Sequence, residues 1–240
     1  MPGARVASPE LQGPELDARE SDSSDPDAGL RQRLHDILRA DRQIWSALQV
    51  ARSLDLPDCF IASGAIYQTV WNALSGRASG YGLKDIDLIY FDGGDLSWEA
   101  EDRVIARSNA AFALSDVRIP VETRNQARVH LWYQKRFGSP YAPLRSAAES
   151  LTRYAATTHA VAVRLEENGV LTIEAPFGLE DVFSMTLRPN PKLDNKGTYD
   201  EKAARCRDLW PQVKVIPWPE RHRTACEPQS SSSSSSSSSQ

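Results

Sequence analysis

Cysteine is scarce in this chain, and its placement excludes more than it suggests. The three cysteines, Cys59, Cys206 and Cys226, are odd in number and have neither metal-binding nor redox spacing. Free thiols in a reducing compartment are therefore expected. No apolar run reaches the roughly 18 residues of a membrane-spanning helix, and the first residues lack the apolar stretch of a secretory signal. A cytoplasmic location with no membrane partner follows as the expectation. Large apolar residues are nearly missing from residues 1–29, which hold four Pro, three Gly and seven acids against two Arg. Such a segment cannot bury enough surface to offset its ordering entropy, so a disordered acidic tail is expected. Residues 220–240 end in an unbroken serine run, Ser230 to Ser239, and are expected to be a second disordered tail.

Excess charge is also lacking where a fold can form. The chain carries −4 overall; residues 1–29 account for −5 and residues 220–240 are balanced, so residues 30–219 are left at +1. Charge therefore does not indicate a nucleic-acid partner. About 190 residues suit one domain, with no internal repeat.

Apolar periodicity then outlines the elements. Leu34, Ile37, Leu38, Ile44, Trp45 and Leu48 share one helical face over residues 30–53. Residues 59–62 read as a short strand that ends at Ser63-Gly64, with a helix over 65–74 behind it. The glycines of residues 75–82 mark a loop. Residues 83–91 form the strongest strand signal, and Ser97 is placed to cap a helix running to Leu114. Residues 117–122 alternate as a strand in which Pro120 suggests an edge. Ser146 to Glu149 matches a capping box, residues 161–173 a hairpin, and residues 179–185 and 199–209 further helices. The six tryptophans are expected mainly in the core. An α/β (α+β) fold follows, with a mixed sheet flanked by helices and a C-terminal hairpin-and-helix extension.

The chemistry lies in the strongest strand. Asp85 and Asp87 occupy positions i and i+2, so both carboxylates point to one face, roughly 6.6 Å apart along the chain. Aspartate is a poor strand former, and two like charges on one face repel unless a cation joins them. Hard oxygen ligands of this kind suit Mg²⁺ or Mn²⁺. Glu122 can complete a three-acid cluster if its strand lies beside the first. The helix start at Ser63-Gly64 presents free N–H groups of the kind that attract phosphate. Lys84, Asn125 and Arg128 are further candidates for contacts to a nucleotide, Arg128 as a bidentate phosphate holder or as a structural ion pair.

The order of strand, small-Gly turn, helix, Asp-x-Asp strand, helix and strand with a third acid resembles the polymerase-β-type nucleotidyltransferase superfamily. More specifically, Ala62-Ser63-Gly64-Ala65, Gln68 to Asn72, Lys84 to Asp92, Asn125 to Trp132, Ala175 to Leu179 and Arg188 to Pro191 resemble a nucleotidyltransferase-like family named mainly from its fold. The likeness spans about residues 30–218. It departs from the superfamily pattern in having Ala65 after Gly64 and a long gap before Asp85. The resemblance implies a divalent-metal site at Asp85 and Asp87, with an NTP as one substrate and the hydroxyl acceptor left open. Nucleotidyl transfer would then use Asp85, Asp87 and Glu122 as catalytic and metal-binding acids. Two other readings stand beside it. A glycosyltransferase also uses Asp-x-Asp, but normally needs a larger nucleotide-binding half than fits before Asp85. A non-catalytic nucleotide-binding or interaction module would keep the fold without the chemistry.

Overall fold

The structure, a computed structural model, describes residues 27–220. The expected tails therefore lie outside the described residues, apart from residues 27–29 and residue 220. The described residues open with two helices, α1 (Ala28–Ala40) and α2 (Arg42–Ser53), where the periodicity predicts one. Asp41 makes the break: its backbone is extended and its carboxylate accepts from Gln43 N and Ile44 N, capping α2. The apolar face continues across the cap, so hydrophobic spacing alone cannot reveal it. The start of α1 also lies ahead of the expected domain boundary after residue 29. Asp27 accepts from Leu179 N at 3.1 Å and ties this end of the chain to the C-terminal half.

Strand β1 (Phe60–Ala62), helix α3 (Gly64–Ser75), strand β2 (Ile86–Tyr90), helix α4 (Trp98–Ala113) and strand β3 (Val121–Asn125) follow. A short 3-10 turn at Gln126–Arg128 leads into α5 (Val129–Phe137), and α6 (Ala147–Leu151) and a second 3-10 turn, Thr157–His159, come next. The hairpin is β4 (Ala162–Leu165) and β5 (Leu171–Glu174). The described residues close with α7 (Glu180–Phe183), β6 (Thr186–Leu187), α8 (Lys196–Leu209) and β7 (Lys214–Val215).

The main sheet has the order β3-β2-β1-β4-β5. Strand β2 runs parallel to β3, and the other neighbours are antiparallel, so the sheet is mixed as the sequence predicts. Its third strand begins four residues later than the alternation of residues 117–122 suggests. Pro120 stands just before this edge strand, where its missing N–H leaves no gap in the ladder, and its carbonyl accepts from Ile86 N.

The two faces of the sheet are covered unequally. Ile61, Ile86, Leu88, Tyr90 and Val163 belong to the large core, packed with Leu34, Ile44, Leu48, Ile66, Val70 and Trp71 from α1, α2 and α3. The opposite face holds a much smaller cluster, Phe60, Ala62, Ile89 and Ala162 against Ala147 and Leu151 of α6. Asp87 shares a side of β2 with Ile89, so it projects toward the thinly covered face. Among the described residues no helix is long and apolar enough to cross a membrane. Cys59 and Cys206 are buried free thiols, and Cys226 lies outside the described residues.

Candidate active site

The long loop before β2 is anchored from beneath. Trp210 is fully buried, donates from Nε1 to Asn72 Oδ1 at 3.0 Å and packs edge-on against Tyr81. Asn72 Nδ2 donates in turn to the Tyr81 carbonyl. Gly82 has φ +74°, and a Cβ there would come within 2.7 Å of the Trp210 ring, so only glycine lets the backbone lie on the indole. This support delivers Asp85 to the start of β2.

Asp87 stands directly beside Glu122 in the parallel register of β2 and β3, so the two carboxylates share one face of the sheet. The later start of β3 creates this pairing: Glu122 is the second residue of its strand, rather than the end of one. The Asp87 carboxyl is raised from its ordinary value of 3.8 to about 6, first by burial, then by the charge on Asp85, with Glu122 adding and Lys202 and Arg124 opposing. The folded state thus holds this proton more tightly than the unfolded chain. Stability is lost as pH rises from about 4 through 6, and the cost is complete above that window. Asp87→Asn is expected to stabilise the metal-free protein at pH 8 by on the order of 1–2 kcal/mol, allowing for the part of the carboxylate that faces water, and to change little at pH 4. Denaturant melts at the two pH values check this; equal stabilities at pH 8 would mean that the charge is already compensated.

A cavity of about 300 Å³ opens over this face, within the size range of small-molecule sites. Ser63, Asp87, Arg124, Asn125, His159 and Lys202 are among the groups lining it. Ser63 is held at φ 54°, ψ −115° at the head of α3, a conformation that costs a non-glycine residue about 1–3 kcal/mol. Its N–H donates to Val161 O at 2.7 Å, which pins the turn. Ser63→Gly is expected to raise unfolding free energy by about 1 kcal/mol in urea titrations. A loss of stability would mean that the hydroxyl itself holds the turn.

The remaining expected residues divide. Gly64 is the first residue of α3, and Asp85 is half-buried. Lys84 is exposed and does not line the cavity. Asn125 does line it, but much of its amide is engaged: Oδ1 accepts from Asp92 N and Ala127 N, and Nδ2 donates to Asp92 O. Arg128 requires a correction. It is 2% exposed, paired with Glu101, donates from Nε to Leu96 O at 3.0 Å and lies over the Trp98 ring. Its guanidinium is spent inside the fold, so the phosphate-holding role gives way to the structural ion pair. Glu101, which sequence reading missed, also accepts from Asn125 N and so links α4 to the end of β3.

Glu122 is turned toward Arg124, 3.4 Å away, with about half of each side chain exposed. Among the described residues no group of three His, Cys, Asp or Glu side chains is arranged to hold a metal ion. Asp85 and Asp87 alone still suit a divalent cation: they are hard oxygen donors, and their mutual repulsion and the burial of Asp87 are what a bound cation would offset.

Further groups reach the cavity from distant parts of the chain. Lys202 comes from α8 and faces the cavity. His159 is 1% exposed, is stacked on Tyr67 and also lines the cavity. Burial, followed by the Lys202 charge, holds its imidazole well below the usual histidine range, so it is neutral. The tryptophans are not uniformly core: Trp71 and Trp210 are fully buried, Trp98 is 63% exposed, and Trp132 lines the cavity.

The model of a family described as nucleotidyltransferase matches residues 49–215. The chain belongs to that nucleotidyltransferase family. Membership implies a nucleotide substrate. Comparison with curated proteins gives no match. Among solved structures, an NMR structure described as a CCA-adding enzyme head domain is similar over 78% of this chain and 96% of its own, at 23% identity and TM-score 0.64. That likeness establishes the shared nucleotidyltransferase-type fold. A tRNA-processing enzyme in an apo form aligns over 70% of this chain and 44% of its own, at 18% identity and TM-score 0.39.

Proposed function

We propose that this nucleotidyltransferase is a divalent-metal-dependent enzyme that moves a nucleotidyl group from an NTP to a hydroxyl acceptor in a reducing, intracellular setting. The observation that carries this reading is the register of β2 and β3, which sets Asp87, a residue lining the cavity, beside Glu122 and two residues beyond Asp85. In the reaction, the acceptor hydroxyl oxygen forms a bond to the α-phosphorus, the bond to the β-phosphate oxygen breaks, and pyrophosphate leaves. Asp85 and Asp87 would hold Mg²⁺ or Mn²⁺, which supplies charge stabilisation for the attacking and leaving oxygens. Glu122, swung from Arg124, would take the proton of the hydroxyl or serve as a further metal ligand. Ser63 and the free N–H groups at the head of α3 hold the terminal phosphates.

The test is metal-dependent binding of an NTP by the full chain, read as a rise in melting temperature. Its loss in the Asp85→Asn, Asp87→Asn double variant supports the reading, and an unchanged rise in that variant overturns it.

A further inference from the structure

Part of the cavity wall is aromatic. Trp132, Tyr133 and Phe137 come from α5 and Tyr141 from the loop after it. Tyr133 lies 4.7 Å from Phe137 and 4.5 Å from Tyr141, centroid to centroid. Trp132 flanks the group at 6.2 Å from Tyr133 and 6.4 Å from Phe137. The rings are only partly covered: Phe137 is 50% exposed and Trp132 is half-buried. The contrast with the core is chemical as well. Trp71 and Trp210 each donate from Nε1 to a protein acceptor. The Trp132 indole N–H makes no such bond among the described residues.

The cavity therefore combines two kinds of lining. One is the head of α3, Lys202 and the Asp87 carboxylate, a setting for phosphates and their cation. The other is the π-rich group, with Arg153 and Asn195 beside it. A ligand that satisfies both has an anionic chain and a planar ring.

We propose that the Trp132 side of this wall is the nucleobase subsite, with Trp132 as the stacking residue. This inference rests on the function proposed above and adds what grips the base. Stacking on an aromatic side chain contributes about 1–3 kcal/mol per base and tolerates any base, because every base has a π-face. Tyr141 is a poorer platform, since Arg153 lies over its ring at 4.4 Å and Tyr133 crowds it as well.

The experiment measures affinity of the full chain, with Mg²⁺, for ATP and for inorganic tripolyphosphate, comparing the parent with Trp132→Ala and Trp132→Phe. Trp132 is only half-buried, and the melting temperature of each ligand-free variant confirms that it folds. The expected result is a roughly 5- to 150-fold weaker ATP affinity in Trp132→Ala, most of it recovered in Trp132→Phe, with tripolyphosphate affinity unchanged throughout. Unchanged ATP affinity in Trp132→Ala would overturn the subsite and leave nucleotidyl transfer standing, with the wall serving an acceptor or a second copy instead. Equal weakening of ATP and tripolyphosphate would also overturn it, by showing a general distortion of the cavity. A parent that binds neither ligand would overturn both this inference and the function on which it rests.

Discussion

Replacing Arg128 by alanine is expected to destabilise the protein by about 3–5 kcal/mol, because it strands the Glu101 carboxylate in the interior without its partner. For a chain of this size that corresponds to a fall of roughly 6–20 °C in melting temperature. The structural reason is the number of elements meeting at this pair. Glu101 belongs to α4, accepts from the last amide of β3 through one oxygen and holds Arg128 through the other. Arg128 reaches back to the carbonyl of Leu96 and covers Trp98. A neutral replacement of both partners, Arg128→Met with Glu101→Gln, is expected to recover much of the loss, since neither charge then needs burial and the side-chain amide oxygen at position 101 still accepts from Asn125 N. Where the single variant is folded, at low temperature, nucleotide affinity should match that of the parent. An Arg128→Ala protein of normal stability that has lost nucleotide affinity would return Arg128 to the phosphate role that its position in the sequence suggests.

This pair also marks the limit of what the sequence can tell. Alternation reads strands well where one face is apolar, which is why β2 and the hairpin of β4 and β5 stand out. Capping chemistry is equally local: Ser97 accepts from Ala100 N and Ser146 from Glu149 N as their positions predict. Strand β3 hides because its buried side is polar. Thr123 donates to Ser108 inside the core, and Asn125 is buried on its own hydrogen bonds. Hydropathy does not distinguish such residues from solvated ones, so the alternation of residues 117–122 draws the strand too early. Of the candidate site, the Asp-x-Asp pair and the Ser63-Gly64 turn are legible because each needs only a neighbour in sequence. The aromatic wall left a partial signal, Tyr133, Phe137 and Tyr141 at four-residue spacing. Lys202 left none: its approach to Asp87 depends on how α8 packs, more than a hundred residues further on.

The acidic residues carry the second large effect. At a free concentration one hundred times Kd, an NTP with Mg²⁺ or Mn²⁺ is expected to stabilise the native protein by about 2.7 kcal/mol. That is a melting temperature raised by roughly 5–10 °C. Asp85→Asn with Asp87→Asn should abolish the rise, because the cation that joins carboxylate to phosphate loses both of its anionic ligands. Glu122→Gln separates binding from chemistry. Its carboxylate lies beside Asp87 in register yet faces Arg124. The Glu122→Gln protein is therefore expected to keep the nucleotide-induced rise. If Glu122 takes the proton of the attacking hydroxyl, pyrophosphate release falls by about 10²–10⁴-fold, the range of a general base. Binding and release both unaltered in Glu122→Gln would remove this residue from the mechanism and leave Asp85 and Asp87 as the only acids at work. A parent that binds nucleotide yet releases no pyrophosphate with any hydroxyl acceptor would instead describe a fold that kept its nucleotide site and lost its reaction, with Arg124 holding the third acid away from the other two.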